Sequence, residues 1–322
     1  STAGGSFGTL RQRVKASGGE GGNGFAVDAS RLDQQNGRWD NSDYRDFSFA
    51  GRFDHRVSPD TSLTVTLRSL RSTLGVYTTS AGQRFDPPDP NDDKKRNDFL
   101  GGLAIDRVHS GTWESRLAAY RYLHETKFNI REDRTISPLH SDTADSVTLT
   151  NYERIGSDWQ HTLYAGEGTR YVGGIAYEQD EIFKESVRPG SSASTDVDDG
   201  RHTASAYLQG EWTLGEKWFL TLGGRGDDHT DFESVLTHRA AVAWEAREGT
   251  TLRTAYGTGF KPPTFAEIHG TATTPGRERR PGADVEGEKS RTWEEGVDQA
   301  FWDDRGRLSL TGFYNRFRDL VE

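Results

Sequence analysis

The sequence predicts an all-β chain whose antiparallel strands follow one another up and down in chain order. Three observations support this fold class: apolar and polar residues alternate along most of the chain, glycine occurs 37 times, and aromatic residues make up 11% of the sequence. Alternation places every second side chain on the same face of a strand. Hydrophobic residues are only 32% of the chain, which fits strands that each hide one face from water.

The alternation is clear from Phe47 onwards. Phe47, Phe49 and Phe53 fall on one face, while Arg52 and Asp54 fall on the other. No stretch of comparable length keeps the 3.6-residue period of a helix. The patterns predict about fourteen strands. They lie near residues 7–16, 24–34, 44–57, 62–74, 97–107, 112–125, 145–163, 170–183, 201–214, 217–228, 235–246, 250–259, 288–302 and 306–319.

The connections between these strands alternate in length. Tight turns of a few residues, such as 215–216 and 247–249, alternate with longer connections. The longer ones cover 35–43, 75–96, 126–144, 184–200, 229–234 and 260–287. Tight turns at one end and long loops at the other are typical of an outer-membrane barrel. A soluble propeller or sandwich is the alternative, but a propeller would repeat about every forty residues.

The two faces of the strands suit different surroundings. A charged side chain on the lipid-facing side of a barrel costs roughly 2–4 kcal/mol at the bilayer midplane, so the charged face should line the lumen. This face carries Arg52, Asp54, Arg68, Glu211, Arg225 and Arg239. Aromatic residues of the apolar face near the tight turns should form an interfacial girdle. They are Phe53, Trp212, Trp218 and Trp244.

Composition and motifs exclude several classes of function. The chain has no cysteine, which rules out disulfides, thiolate catalysis and cysteine-bound metals, and its net charge of −10 argues against nucleic-acid binding. No run of about 18 apolar residues predicts a membrane helix. The histidines lack metal-site spacing and no G-x-S-x-G occurs, so we expect no enzyme. A barrel protease using Asp227 and Asp228 is the remaining catalytic alternative.

The segment from Arg253 to Gly270 carries a recognisable pattern. A strand must end near Gly259, because Pro262 and Pro263 lack the N–H groups that a central ladder needs. The segment resembles the strand-to-loop signature of TonB-dependent outer-membrane receptors, in which an F-K-x-P-T segment follows the strand. A second stretch, from Gly282 to Gly296, resembles the family's N-P-D-L-K-P-E-x-S…E-x-G motif. The matching residues are Tyr256, Gly259, Phe260, Pro263, Glu288, Ser290, Glu294 and Gly296.

The second motif departs from the family in two places. Gly282-Ala283 stands where the family has Asn-Pro, and Gly287 replaces its second proline. The segments 5–9 and 313–321 resemble an early turn and a late strand of the same family. The first motif also has a simpler interpretation, in which its prolines and glycines only end the strand and shape the loop.

The resemblance covers essentially the whole chain and implies where it belongs. Such receptors have about 22 strands and a plugged lumen. We therefore expect residues 1–322 to be a partial barrel domain without the plug and without the last strands. We expect the first and last strands of this partial barrel to stay unpaired. Closing the barrel would require these two strands to pair with each other in a new register. The resemblance further implies a monomer in the Gram-negative outer membrane, in contact with its lipid.

The resemblance also implies a function. A TonB-dependent receptor takes up a large, scarce nutrient, and its plug recruits the TonB energising complex of the inner membrane. The loop from Asp40 to Asp43 is most similar to the cobalamin (vitamin B12) transporters, so cobalamin is the first expected ligand. A ferric siderophore is the alternative, and a passive porin or adhesin barrel is a third possibility. No nucleic-acid partner is expected.

Aromatic and basic residues of the long loops are the candidate ligand contacts. A corrinoid favours aromatic rings, whereas an anionic ferric siderophore favours arginine. The candidates are Trp39, Tyr44, Tyr77, Phe85, Phe265, Arg277, Arg279 and Arg280.

Two acidic loops could bind Ca²⁺, which takes 6–8 oxygen ligands. By resemblance to the cobalamin transporters, Ca²⁺ would order these loops before the ligand binds. The alternative is a solvated acidic loop without metal, which Lys94, Lys95 and Arg96 favour for the second cluster. The candidate ligands are Asp40, Asn41, Asp43 and Asp46 in the first cluster, and Asp86 and Asp89 in the second. No other cofactor is expected.

Overall fold

A computed structural model describes residues 1–35, 40–77, 91–131, 145–188, 195–269, 285–302 and 305–320. Fifteen strands form one antiparallel sheet in which each strand pairs with its neighbours in the chain. This confirms the predicted all-β, up-and-down fold. Among the described residues the sheet is not closed, since β1 and β15 are its edges. The elements are β1 (Thr2–Gly4), β2 (Leu10–Glu20), β3 (Asn23–Gln34), β4 (Tyr44–Ser58), β5 (Thr61–Gly75), β6 (Asp93–Ser110), β7 (Trp113–Ile130), β8 (Ser146–Tyr164), β9 (Thr169–Val187), β10 (Thr195–Leu214), β11 (Trp218–His229), β12 (Val235–Arg247), β13 (Thr250–Lys261), α1 (Phe265–His269), β14 (Glu288–Phe301) and β15 (Gly306–Arg318).

The N-terminal strand differs from the prediction. The strand expected at residues 7–16 begins at Leu10 and runs to Glu20, and the short β1 pairs with its first residues. Phe7 and Gly8 have φ angles of 57° and 61°, which a strand cannot accommodate. They form a turn instead, closed by a hydrogen bond from the Gly5 amide to the Thr9 carbonyl at 2.9 Å. The described residues therefore contain one strand more than expected.

Tight turns and longer connections alternate as predicted. The β2–β3 turn uses Gly21 and Gly22 at φ 59° and 88°, and the β10–β11 turn uses Gly215 at φ 60°. Glycine adopts positive φ without the Cβ clash that other residues meet. The longer connections are shorter than expected around β7, β9 and β10, because these strands extend beyond the predicted bounds.

Contacts divide the chain into two compact units. The first contains Ser1–Ile105, Ala118–Gly156 and Gln179–Gly200, and the second contains Asp106–Leu117, Ser157–Glu178 and Arg201–Glu322. Each unit has its own pair of strand faces, which are described separately below.

In the first unit, the register separates charged from apolar side chains. Arg52 on β4 lies opposite Thr66 on β5. Arg68, two residues after Thr66 on β5, lies opposite Ala50, two residues before Arg52 on β4. Both arginines therefore share one face. Phe53 lies opposite Phe25 and Val65 on the other face. The charged and apolar faces are those that the alternation predicts.

The second unit shows the same separation. Arg239 lies opposite Gly223, which lies opposite Gln209, so these residues share the polar face with Glu211 and Arg225. On the apolar face, two of the predicted aromatic residues of the tight-turn end contact each other, while Trp212 contacts Tyr171. The Trp218 and Trp244 rings stack with centroids 5.1 Å apart.

Burial is inverted relative to a water-soluble protein. Large apolar side chains are exposed on the apolar face, with Leu208 62% and Leu236 74% exposed. The most enclosed strand residues include Asp180 and Ser205, which lie on the polar face. An exposed apolar surface of this extent calls for an apolar surrounding. No helix of the described residues has the length and apolarity to cross a bilayer.

An acidic residue also lies on the apolar face of β14. Glu295 lies between Trp293 and Val297 in this row, and it is opposite Thr254 and Gly312. The Trp293 indole N–H donates a hydrogen bond to its carboxylate at 3.1 Å. The indole thus supplies a polar partner for this carboxylate.

Candidate ligand-binding face at the long-loop ends

The polar face of the first unit carries a cluster around Asp98 on β6. Its carboxylate accepts hydrogen bonds from Arg96 Nε at 2.6 Å and from the Tyr122 hydroxyl at 3.1 Å. His124 Nδ1 lies 2.5 Å from the same carboxylate and Thr126 Oγ1 lies 2.9 Å from His124 Nε2. One carboxylate therefore fixes side chains from two neighbouring strands.

A second cluster lies around Asp180 on β9. The Tyr152 hydroxyl donates to Asp180 at 2.8 Å, and Arg154 donates through Nε at 2.6 Å and through Nη2 at 3.0 Å. The Asp180 side chain is 5% exposed. A carboxylate this deep is tolerated because a bidentate arginine and a hydroxyl satisfy its oxygens.

The tyrosines join the two clusters. The Tyr122 and Tyr152 rings meet edge to face with centroids 6.2 Å apart. Their hydroxyls are held by Asp98 and Asp180, so the rings have fixed orientations. We call Arg96, Asp98, Tyr122, His124, Tyr152, Arg154 and Asp180 the tyrosine row. It presents rigid rings beside charges that are already neutralised, which suits binding of a large ligand rather than proton transfer.

The second unit has a related arrangement on its polar face. Tyr207 donates to Asp158 at 3.0 Å, and Arg225 Nε donates to Asp227 at 2.8 Å. The Arg225 guanidinium lies 5.8 Å from the Tyr207 ring centre. A cavity of about 480 Å³ is lined by Asp158, Tyr207 and Arg225 together with Gln160, Gln209 and Arg239.

The segment after β13 is held by contacts of its own motif residues. Arg201 donates a hydrogen bond to the Pro263 carbonyl and places its guanidinium 4.6 Å from the Phe265 ring centre. The Phe260 ring lies 5.6 Å from that of His229. The strand exit is therefore tied to its neighbours, in agreement with the interpretation that the motif ends the strand and shapes the loop.

The first turn of α1 is closed by a capping box. The Thr264 amide donates to the Glu267 carboxylate at 2.6 Å, while the Glu267 amide donates to Thr264 Oγ1 at 3.3 Å. Lys261 bridges Glu267 at 3.5 Å and Glu288 at 3.3 Å. Lys261 thus links the strand exit to the start of β14.

The remaining motif residues pack β13 against β14. Tyr256 lies opposite Trp293, with ring centroids 6.0 Å apart, and Gly259 lies opposite Ser290. A Cβ on Gly259 would lie 2.7 Å from Ser290 Oγ. A Cβ on Gly296 would lie 2.8 Å from the Arg253 guanidinium, so both glycines make room for side chains. Glu294 lies opposite Ala255 and Phe313.

The predicted ligand contacts have different surroundings. Tyr44 lies at the start of β4, opposite Gln34 and Leu74, and Tyr77 follows β5 with a partly exposed side chain. Phe265 is 5% exposed, and the Arg201 guanidinium and the His269 ring lie beside its ring, so the structure shows it as a packed residue and not as an open contact surface. The other predicted contacts lie outside the described residues: Trp39, Phe85, Arg277, Arg279 and Arg280.

The first acidic loop is tied to the chain around residue 92. Asn41, at φ 54°, donates through Nδ2 to the Asp92 carbonyl at 2.8 Å and to the Val76 carbonyl at 3.2 Å. The Asp43 carbonyl accepts from the Gly75 amide at 2.8 Å. The Asn41 side chain thus holds the first acidic loop against the backbone at Val76 and Asp92.

The Ca²⁺ site stays a prediction. Asp40 is exposed in the turn before β4, and Asp46 lies within β4. Across the ranges that the structure describes, no three histidine or acidic side chains come close enough to share a metal ion. Asp86 and Asp89 lie outside those ranges.

Comparison with known proteins identifies the family. The sequence profile described as "TonB dependent receptor-like, beta-barrel" matches residues 6–322. Among solved structures, the copper transporter OprC shares 12% identity at a TM-score of 0.77 and covers 99% of this chain and 53% of its own. P. aeruginosa FpvA bound to a pyoverdine–iron complex shares 12% identity at 0.73, with 98% and 48% covered. The siderophore receptor PiuA from Acinetobacter baumannii shares 13% identity at 0.70, with 97% and 56% covered.

The chain spans about half the length of these structures, of which it covers 53%, 48% and 56%. At these identities the likeness shows the fold, whereas the profile match shows the family. The chain belongs to the TonB-dependent receptor β-barrel family, whose members are proteins of the Gram-negative outer membrane.

Proposed function

We propose that the full-length protein takes up a large, scarce nutrient across the outer membrane and that the nutrient binds at the long-loop ends of the strands. The observation that carries this proposal is the tyrosine row, in which Asp98 and Asp180 fix the orientation of Tyr122 and Tyr152. Rigid aromatic side chains give a large contact area with little loss of side-chain entropy on binding. Uptake would be driven by the TonB complex acting through a plug, with the receptor as a monomer.

Cobalamin is the first ligand candidate. The resemblance of the Asp40–Asp43 loop to cobalamin transporters supports it, as do the tyrosine rings, which offer flat apolar contacts to a corrin. Ca²⁺ bound by Asp40, Asp43 and their neighbours would order the loops first.

A ferric siderophore is the second candidate. Arg277, Arg279 and Arg280 in the sequence would attract an anionic chelate. FpvA, one of the similar structures, is described as bound to a pyoverdine–iron complex.

Binding titrations of the full-length receptor test both ligands. Cyanocobalamin and a panel of ferric siderophores are titrated with and without Ca²⁺, using protein with the Tyr122→Ala and Tyr152→Ala substitutions beside the unchanged protein. We expect the double substitution to weaken binding of the true ligand by about tenfold or more, as loss of an aromatic anchor typically does. Tyr177→Ala with Tyr314→Ala, on the apolar face, is the matched control and should leave affinity unchanged.

The same titration tests Asp40 and Asp43 as Ca²⁺ ligands. Asp40→Ala with Asp43→Ala should abolish any Ca²⁺ enhancement of cobalamin binding, and an unchanged enhancement would reject these ligands. If neither ligand class binds while small solutes diffuse freely through the protein in liposomes, a passive porin replaces the uptake receptor.

A further inference from the structure

The charges of the tyrosine row balance one another. Arg96 Nε lies 2.6 Å from the Asp98 carboxylate. Arg154 binds Asp180 through Nε at 2.6 Å and through Nη2 at 3.0 Å. Two arginines and two aspartates sum to zero charge while His124 is neutral. A ligand that lies on the tyrosine rings therefore meets no net charge from the row.

The two ion pairs of the row are sheltered from water. The side chains of Asp98 and Asp180 are 12% and 5% exposed, and that of Arg154 is 35% exposed. Salt screens such pairs weakly, and separating them leaves a charge without its partner. An anion entering the row would have to draw a guanidinium away from its carboxylate, and the same carboxylate would repel it. The row should therefore bind anions poorly.

The tyrosine hydroxyls restrict the hydrogen-bonding groups of the ligand. Tyr122 donates its hydroxyl hydrogen to Asp98 at 3.1 Å, and Tyr152 donates to Asp180 at 2.8 Å. Both hydroxyl hydrogens are thus used within the row, so the hydroxyl oxygens, like the carboxylates, act towards a ligand as acceptors. A matching ligand presents N–H donors, such as those of amides, beside a flat surface that packs on the rings.

An arginine on the polar face of the second unit has different surroundings. Arg239 lines the cavity beside Tyr207, and across the ranges that the structure describes no carboxylate lies at ion-pair distance from it. It acts through space on Glu211, which Arg170 already binds at 2.8 Å and Gln209 at 2.7 Å. Both arginines of the tyrosine row, in contrast, have a carboxylate of their own.

We propose that the nutrient bound by the tyrosine row is an uncharged chelate that carries amide N–H donors. This inference rests on the proposed uptake function and adds the charge class of the ligand. A corrinoid with amide side chains fits this description, as does an uncharged ferric hydroxamate on a peptide scaffold. A ferric catecholate does not, because it is an anion. Since the row offers no net charge, the affinity for the nutrient should depend little on salt.

Calorimetric titration of the full-length receptor at about 50 and about 500 mM NaCl tests the charge class. Cyanocobalamin and a neutral ferric trihydroxamate are the uncharged probes, and a ferric tricatecholate is the anionic probe. Comparison of the two uncharged probes distinguishes a corrinoid from a hydroxamate.

Three variants change the charges of the polar face in the same titration. Asp98→Asn leaves Arg96 without its carboxylate and gives the row a positive charge, whereas Arg96→Gln with Asp98→Asn keeps the sum at zero. Asp28→Asn is the matched control, since Asp28 binds Arg13 outside the row. Circular dichroism and the thermal midpoint establish that each variant is folded.

We expect an uncharged probe to bind the unchanged receptor with a Kd that differs by less than about twofold between the two salt concentrations. The tricatecholate should bind weakly at both. Asp98→Asn should raise its affinity by about tenfold at the lower salt concentration. The control and the charge-balanced double variant should show no such rise.

Tight binding of the tricatecholate by the unchanged receptor, weakened by salt, would overturn this inference and leave the uptake proposal intact. An equal rise in tricatecholate affinity for Asp28→Asn and Asp98→Asn would also overturn it, since the effect would then come from overall charge and not from the row. If none of the three probes binds, the uptake proposal falls together with this inference.

Discussion

Asp180 is a residue whose environment sets its role. Its side chain is 5% exposed. The carboxylate accepts hydrogen bonds from the Tyr152 hydroxyl and from Nε and Nη2 of Arg154. Removing the carboxylate would leave a buried hydroxyl and a guanidinium without their acceptor. Such losses are costly, because the remaining partner has already given up its hydration.

The Asp180→Ala substitution should therefore destabilise the folded receptor by about 3–5 kcal/mol. Urea-induced unfolding in lipid vesicles measures this change. Asp28→Ala is the control, since Asp28 also pairs with an arginine, Arg13, but in an exposed position. A destabilisation by Asp180→Ala no larger than that of the control would contradict the structural role assigned to the Asp180 cluster.

At this scale the sequence predicts which face a residue occupies but not which partners it meets. The alternation places Arg52, Arg225 and Arg239 on the polar face, and the register confirms this. The tyrosine row was not predicted, because its contacts join residues that are far apart in sequence, such as Tyr152 and Asp180. The run of polar-face tyrosines beside carboxylates was the available signal.

Among the elements, α1 is short and depends on its cap. The hydrogen bond from the Thr264 amide holds the pKa of Glu267 below its ordinary value. A carboxylate with a lowered pKa stabilises the folded form while it is ionised. This contribution is fully present above the ordinary glutamate pKa of about 4.3, and it is lost as the pH falls through the lowered folded value.

Hydrogen exchange across this pH range tests the cap. Once rates are corrected for intrinsic exchange, protection of the Glu267 and Ile268 amides should fall as the pH drops from 6 to 3. Glu267→Gln should show lower protection at pH 6 and no further fall attributable to this carboxylate. Constant protection in the unchanged protein down to pH 3 would show that the cap does not hold α1.

Strand positions were predictable because alternation is a local property. Predicted and observed bounds of β3, β4 and β5 agree to within one residue. The prediction was wrong at the first strand, where Phe7 adopts a positive φ. A phenylalanine in the sequence gives no indication of such a backbone conformation. The prediction also ended β7 and β9 early, because polar side chains occupy both faces of their distal ends, as at Glu125 and Glu181.

At the scale of the whole molecule, burial is the informative property. Large apolar side chains are exposed in both units, and the enclosed strand residues include the polar Asp33, Asp180 and Ser205. This distribution is unfavourable in water and favourable in a bilayer, where apolar surface meets hydrocarbon and charges remain on the hydrated side. The family assignment and the burial pattern thus support the same surroundings.

The solvent exposure of two adjacent residues tests this account most directly. Residues 1–322 contain no cysteine, so Leu208→Cys and Gln209→Cys each give this part of the barrel one site for a spin label, and any cysteine elsewhere in the full-length receptor is first replaced by serine. In the full-length receptor in liposomes, the label at 208 should be accessible to oxygen dissolved in lipid, and the label at 209 to a water-soluble nickel complex. Equal access of the nickel complex to both labels, or the reverse pattern, would contradict the account.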